Sequence, residues 1–121
     1  MNNFRELKVW QKSIEFTTNV YLITQKYPSE EKFGLISQIR RATISISSNI
    51  AEGTGRNSIK EFSHFLSISL ASSFELETQL IISNNLSFIS SEELDSLLKE
   101  LLHIQNMIIK LQQSLKYNKV N

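Results

Sequence analysis

The chain has 121 residues with 13 Lys/Arg against 12 Asp/Glu, two histidines and no cysteine. That length fits one domain with a real core. The lack of cysteine removes disulfides and thiolate metal sites, and suits a reducing cytosol. No apolar run approaches the ~18 residues that a membrane span needs, and no basic start leads into an apolar leader. The expectation is a soluble, cytoplasmic protein of one domain over residues 1–121.

The three glycines and single proline fall where helices should stop. Helix 1 is predicted from about Lys8 to Tyr27, with Pro28 behind it. Its core stripe is Val9, Phe16, Val20, Ile23 and Tyr27. A second stripe, Trp10, Ile14 and Tyr21, lies a quarter turn away.

Helix 2 is predicted from about Leu35 to Glu52, with Gly53 just past its end. Thr43-Ile-Ser-Ile-Ser47 alternates like a strand. Leu35, Ile39, Ala42, Ile46 and Ile50 keep helical spacing across the same segment, and the longer pattern should win. Arg41 shares a polar face with Ser45, Ser48 and Glu52, whereas Arg40 borders the core stripe. A half-buried arginine needs partners, and Glu77 is the expected one.

Helix 3 opens with the capping box Ser58-Ile-Lys-Glu61 and runs to about Asn84. Phe62, Phe65, Leu66, Ser69, Leu76 and Leu80 form its core stripe. Ser69, Ser72 and Ser73 are small enough to let another backbone come close. Helix 4 opens with a second box, Ser90-Ser-Glu-Glu93, and runs to about Tyr117. Its stripe is Leu94, Leu97, Leu101, Ile104, Ile108, Leu111 and Leu115, widened by Leu98, Leu102 and Ile109.

Short connections make neighbours antiparallel, so the fold expected is an all-α, up-down four-helix bundle. The extra apolar residues, Trp10, Ile14, Tyr21, Leu98, Leu102 and Ile109, exceed what a lone bundle needs and are the candidate interface of a homo-oligomer.

Charge is uneven along the chain. Residues 1–60 carry nine Lys/Arg against five Asp/Glu, and the remainder four against seven. The halves either cancel by packing together or leave a basic surface for an acidic partner or nucleic acid.

Two Glu-x-x-His motifs, Glu61–His64 and Glu100–His103, match the spacing used by di-iron bundles. Both histidines point about 150° and 140° from their core stripes, so the expectation is surface residues and no metal or other cofactor. No cysteine nucleophile exists, and neither histidine has a serine and carboxylate around it in sequence, so no enzyme is expected. Gly53-Thr-Gly-Arg56 lacks the Walker pattern and any preceding strand, and reads as a helix stop and turn. Arg56 and Lys60 nevertheless stand beside a helix N-terminus, where anions are attracted.

Several motifs together carry a resemblance: Leu7-Lys-Val-Trp-Gln-Lys12, Phe33-Gly-Leu-Ile-Ser-Gln-Ile-Arg-Arg-Ala42, Ser48-Asn-Ile-Ala-Glu-Gly-Thr-Gly-Arg56, Glu61-Phe62, Phe65-Leu66 and Glu75-Leu-Glu-Thr-Gln-Leu80. From about Phe4 to Leu86 the chain resembles the four helix bundle family of 23S rRNA intervening sequence proteins. The resemblance implies a ring-like homo-oligomer such as a pentamer, and no established enzyme activity. The family is similar to the accessory proteins of diversity-generating retroelements, which engage nucleic acid. By that likeness Arg40, Arg41, Arg56 and Lys60 are candidate contacts to RNA or DNA. The alternative implied by the near-neutral charge is a protein-interaction scaffold with no nucleic-acid role. The family often has proline where this chain has Ser47, so helix 2 should run straighter here.

Overall fold

The structure is a computed structural model and describes residues 3–120. Four helices carry it: α1 (Lys8–Thr24), α2 (Leu35–Thr54), α3 (Ile59–Asn85) and α4 (Ser91–Val120). No strand occurs among the described residues, so the alternating Thr43–Ser47 run is helical. Short 3₁₀ turns at Phe4–Glu6 and Ser29–Glu31 precede α1 and α2. Each helix packs on the next and α4 returns to α1, which closes the up-down bundle. One buried cluster, from Val9 and Phe16 through Ile39, Ile46, Leu66, Leu76, Leu101 and Ile108, fills the centre.

The helix ends depart from the predicted ones for local reasons. α1 stops at Thr24, because Pro28 pushes Tyr27 away from helical angles and the chain unwinds over Gln25–Tyr27. Tyr27 stays buried, 5.3 Å from the Phe88 ring. α2 runs through Gly53 to Thr54, so Gly53 is a packing residue and not the stop. The end of α2 is closed instead by Gly55 and Arg56, whose N–H groups donate to Glu52 O and Gly53 O at 3.2 Å.

α3 ends in a Schellman turn: Phe88 N–H donates to Ser83 O and Ser87 N–H to Asn84 O, both at 2.9 Å. Ser87 takes the left-handed position there, with φ 65°. The box on α4 is reciprocal, since Glu93 N–H donates to Ser90 Oγ at 3.0 Å and Ser90 N–H to Glu93 Oε1 at 2.9 Å.

Serines let α2 and α3 approach closely. Ser69 Oγ donates to Ile46 O at 2.8 Å, and Ser45 and Ser72 hydroxyls lie 2.7 Å apart. The same serines break α3 into short apolar runs, which is why no single run looked like a span. By overall length and composition α3 is nonetheless long and apolar enough to cross a bilayer. Here it buries Leu66, Leu76 and Leu80 in the bundle core.

A candidate nucleic-acid interface at one end of the bundle

The four arginine and lysine candidates do not form one cluster. Arg41 and Arg56 are separated by fifteen residues of one helical path, about 22 Å along the bundle. Arg40 and Arg41 sit near the start of α2, and Arg56 and Lys60 stand at the turn into α3.

Their surroundings differ as much as their positions. Arg40 is half-buried; its Nε donates to Thr24 Oγ1 at 3.0 Å and its Nη2 to Tyr21 O at 3.3 Å. Its guanidinium lies 4.3 Å from the Tyr21 ring centroid. The cation thus closes the C-terminal end of α1, where it meets the negative end of the helix dipole. The expected partner, Glu77, is elsewhere: it accepts a hydrogen bond from Gln105 at 3.0 Å. Sequence spacing placed Glu77 near the core but could not show that it faces α4 and not α1.

Arg56 is held by Glu52 at 2.7 Å, the one ion pair among the described residues, and lies 4.6 Å from the Phe65 ring centroid. Arg41 and Lys60 are exposed. The first turn of α3 is capped by its own residues: Glu61 N–H donates to Ser58 Oγ at 3.1 Å, and the Glu61 carboxylate stands beside it. That carboxylate already answers the helix dipole, so any anion bound there depends on side-chain cations.

Folding brings together what the sequence keeps apart. Antiparallel packing puts the start of α1, the end of α2, the start of α3 and the end of α4 at one end of the bundle. That end gathers the exposed Arg5, Lys8, Lys12, Arg56, Lys60, Lys110 and Lys116, against Glu6, Glu15, Glu52, Glu61 and Glu100. The opposite end holds Glu30, Glu31, Glu92, Glu93 and Asp95 beside Lys26, Lys32, Arg40 and Arg41, and is nearly balanced. The charges of the two sequence halves do not form a basic side; an excess of cations collects at the end where α1 and α3 begin, and the other end is nearly balanced. Lys110 and Lys116 were overlooked in sequence because they lie in the acidic half. Tracing four antiparallel helices of these lengths would have found them.

His64 and His103 are both exposed, and His64 lies edge-on to Phe65. Among the described residues no three His, Asp or Glu side chains come close enough to hold a metal ion.

The six apolar residues outside the predicted core stripes divide. Trp10 is half-buried, packed on the core and 5.1 Å from the Phe4 ring, which the 3₁₀ turn folds back. Tyr21 lies half-buried under Arg40. Leu98 and Ile109 are half-buried, whereas Ile14 and Leu102 are exposed. Thr17 meets Thr43 at 3.3 Å, so Trp10, Ile14 and Tyr21 line the α1–α2 seam. Exposed Ile44 and Phe33, 89 % exposed, extend that seam. Exposed Phe74 and Ile81 lie three residues before and four after Glu77, on the edge of α3 that faces α4. With Leu98 and Leu102 they make a second apolar seam on the opposite side of the bundle.

The chain is an all-helical four-helix bundle with a basic end and two apolar seams. The chain belongs to the 23S rRNA-intervening sequence protein family, whose model matches residues 5–110. It is also similar to a crystal structure from Bacteroides thetaiotaomicron, described as a protein with unknown function from the S23 ribosomal protein family. The TM-score is 0.77 at 26% identity, over 86% of this chain and 97% of that one. A search among curated proteins finds no match.

Proposed function

We infer that this chain is a nucleic-acid-associated binding module without chemistry of its own, assembled with copies of itself in the cytoplasm. The observation that carries the reading is the collection of lysines and arginines from α1, α3, α4 and the turn after α2 at one end of the bundle. The family's name refers to 23S rRNA and is consistent with that reading. Of the four candidates, Lys60 and Arg41 are exposed and unpaired among the described residues, Arg56 is exposed but paired with Glu52, and half-buried Arg40 is engaged with α1.

Self-association has its own support. The two apolar seams lie on opposite sides and differ in composition, so joining one to the other is a head-to-tail contact. Head-to-tail contacts close into rings when the rotation allows, and a pentamer is one such closure. A ring would also bring several basic ends onto one face and multiply weak contacts.

The test is oligomer mass by light scattering, followed by RNA titration at about 50 and 200 mM salt. A stable oligomer whose RNA affinity falls steeply with salt supports the reading. A clean monomer at micromolar concentration removes the assembly. Stable oligomers with no salt-sensitive RNA retention favour the second reading, a protein scaffold, which the near-neutral net charge of +1 also suits.

A further inference from the structure

At the basic end a groove of about 360 Å³ opens between the start of α3 and the end of α4. Ile59 and Ile109 line it with apolar surface, and Lys60 and Lys116 come to it from the two helices. Gln112 holds the walls in register: its amide donates to Ser63 O at 3.0 Å and to Ser67 Oγ at 2.8 Å. The volume lies within the range of small-ligand sites. Ile109, an oligomer candidate from sequence, thus lines a groove about 10 Å along α4 from the Leu102 seam.

Apolar surface with cations from both sides matches a flat ring flanked by anionic groups. A nucleotide within a single strand has that form: its base presents an uncharged face, and a phosphate precedes and follows it. A duplex buries its base faces in the stack and offers only phosphates and groove edges. The amide of Gln113, also lining the groove, carries the donor and acceptor that a base edge can meet.

We propose that this groove seats one unpaired nucleotide of single-stranded nucleic acid, its base on Ile59 and Ile109 and the adjoining phosphates at Lys60 and Lys116. The proposal rests on the nucleic-acid reading above and gives it a place and a preferred form.

The test is fluorescence anisotropy on the full chain with three probes: labelled oligouridylate, oligothymidylate DNA of the same length, and duplex RNA. Both single strands should bind more tightly than the duplex; a further preference for the RNA would add a contact to the 2′-hydroxyl. The double variant Lys60→Gln/Lys116→Gln should flatten the slope of log affinity against log salt by about 1.4, two phosphates at about 0.7 each. Ile59→Ser should weaken binding several-fold and leave that slope unchanged. Lys26→Gln, past the end of α1 at the opposite end of the bundle, should change neither. If wild type binds with strong salt dependence but the lysine pair leaves the slope intact, or the duplex binds as tightly, this groove is not the site and the nucleic-acid function stands. If wild type shows no salt-sensitive binding to any probe, both fall.

Discussion

Gly53 and Phe62 touch because one of them has no side chain. A Cβ placed on Gly53 would stand 2.8 Å from Phe62 Cδ1 and 3.0 Å from Phe65 Cβ. The turn between α2 and α3 depends on this contact, since it lets the first ring of α3 approach the last turn of α2 closely. Alanine at 53 would gain about 1 kcal/mol of helix propensity. It would also force Phe62 and the Phe65 backbone outward, at about 1–3 kcal/mol of overpacking. Gly53→Ala is therefore expected to lower the melting temperature. Gly55→Ala is the control: its Cβ would meet only Glu52 O at 3.5 Å, so stability should hold or rise. Thermal melts of the two variants check the pair, and equal melting temperatures would refute it.

Arg40 and Arg41 are adjacent in sequence and opposite in role. Arg40→Ala removes two hydrogen bonds to α1 and the stacking on Tyr21. A loss of about 1–3 kcal/mol follows, since charged hydrogen bonds contribute about 1.5–3 kcal/mol and half-exposure reduces that. Arg41→Ala touches no such contact and should stay within about 0.5 kcal/mol of wild type. Urea midpoints measure the difference.

Ser87 occupies a position that suits glycine. Its φ of 65° completes the Schellman turn after α3, at about 1–2 kcal/mol for a residue with a Cβ. Glycine removes that strain but gives back about 0.5–1 kcal/mol in unfolded-state freedom. Ser87→Gly should then raise stability by up to about 1 kcal/mol in chemical denaturation. A measured loss would mean that the serine side chain contributes more than the backbone strain costs.

Much of this fold was legible because its signals agree. Both capping boxes start their helices where Ser58 and Ser90 stand, and the 3.6-residue stripes of α1, α3 and α4 became the core. The family resemblance added the bundle and its membership. What escaped was what requires two helices at once. The spacing of Glu77 gives its face on α3 but not its neighbour, so its pairing with Gln105 was out of reach. Trp10 read as an unpartnered stripe because nothing in the sequence shows Phe4 folding back onto it. Gly53 read as a stop because a glycine near a helix end has that meaning more often than it marks a close approach. The basic end escaped for the same reason: Lys116 and Lys60 are far apart in sequence and face one groove only after α3 and α4 pair.

Tyr27 tests whether a buried polar group helps this core. Its hydroxyl is buried without a hydrogen bond of good geometry, although the Ser83 hydroxyl, which donates to Gln79 O at 2.9 Å, lies close enough to interact with it. Burial pushes the phenol above its usual value of 10.0, with the Ser83 hydroxyl pulling weakly the other way and the Glu93 carboxylate adding to the rise. Removing the lone hydroxyl while keeping the ring against Phe88 should be neutral or stabilising, by up to about 1–3 kcal/mol of relieved desolvation. The pH dependence has a definite sign. Below pH 10 the phenol is neutral in both states and contributes no slope. Above it the unfolded chain loses the proton first, so the native state is destabilised as pH rises toward the folded value. Tyr27→Phe should flatten that alkaline loss relative to wild type. Unfolding midpoints measured at neutral pH and between about pH 10 and 11 would show it, and identical pH profiles for the two proteins would place Tyr27 in a water-accessible site.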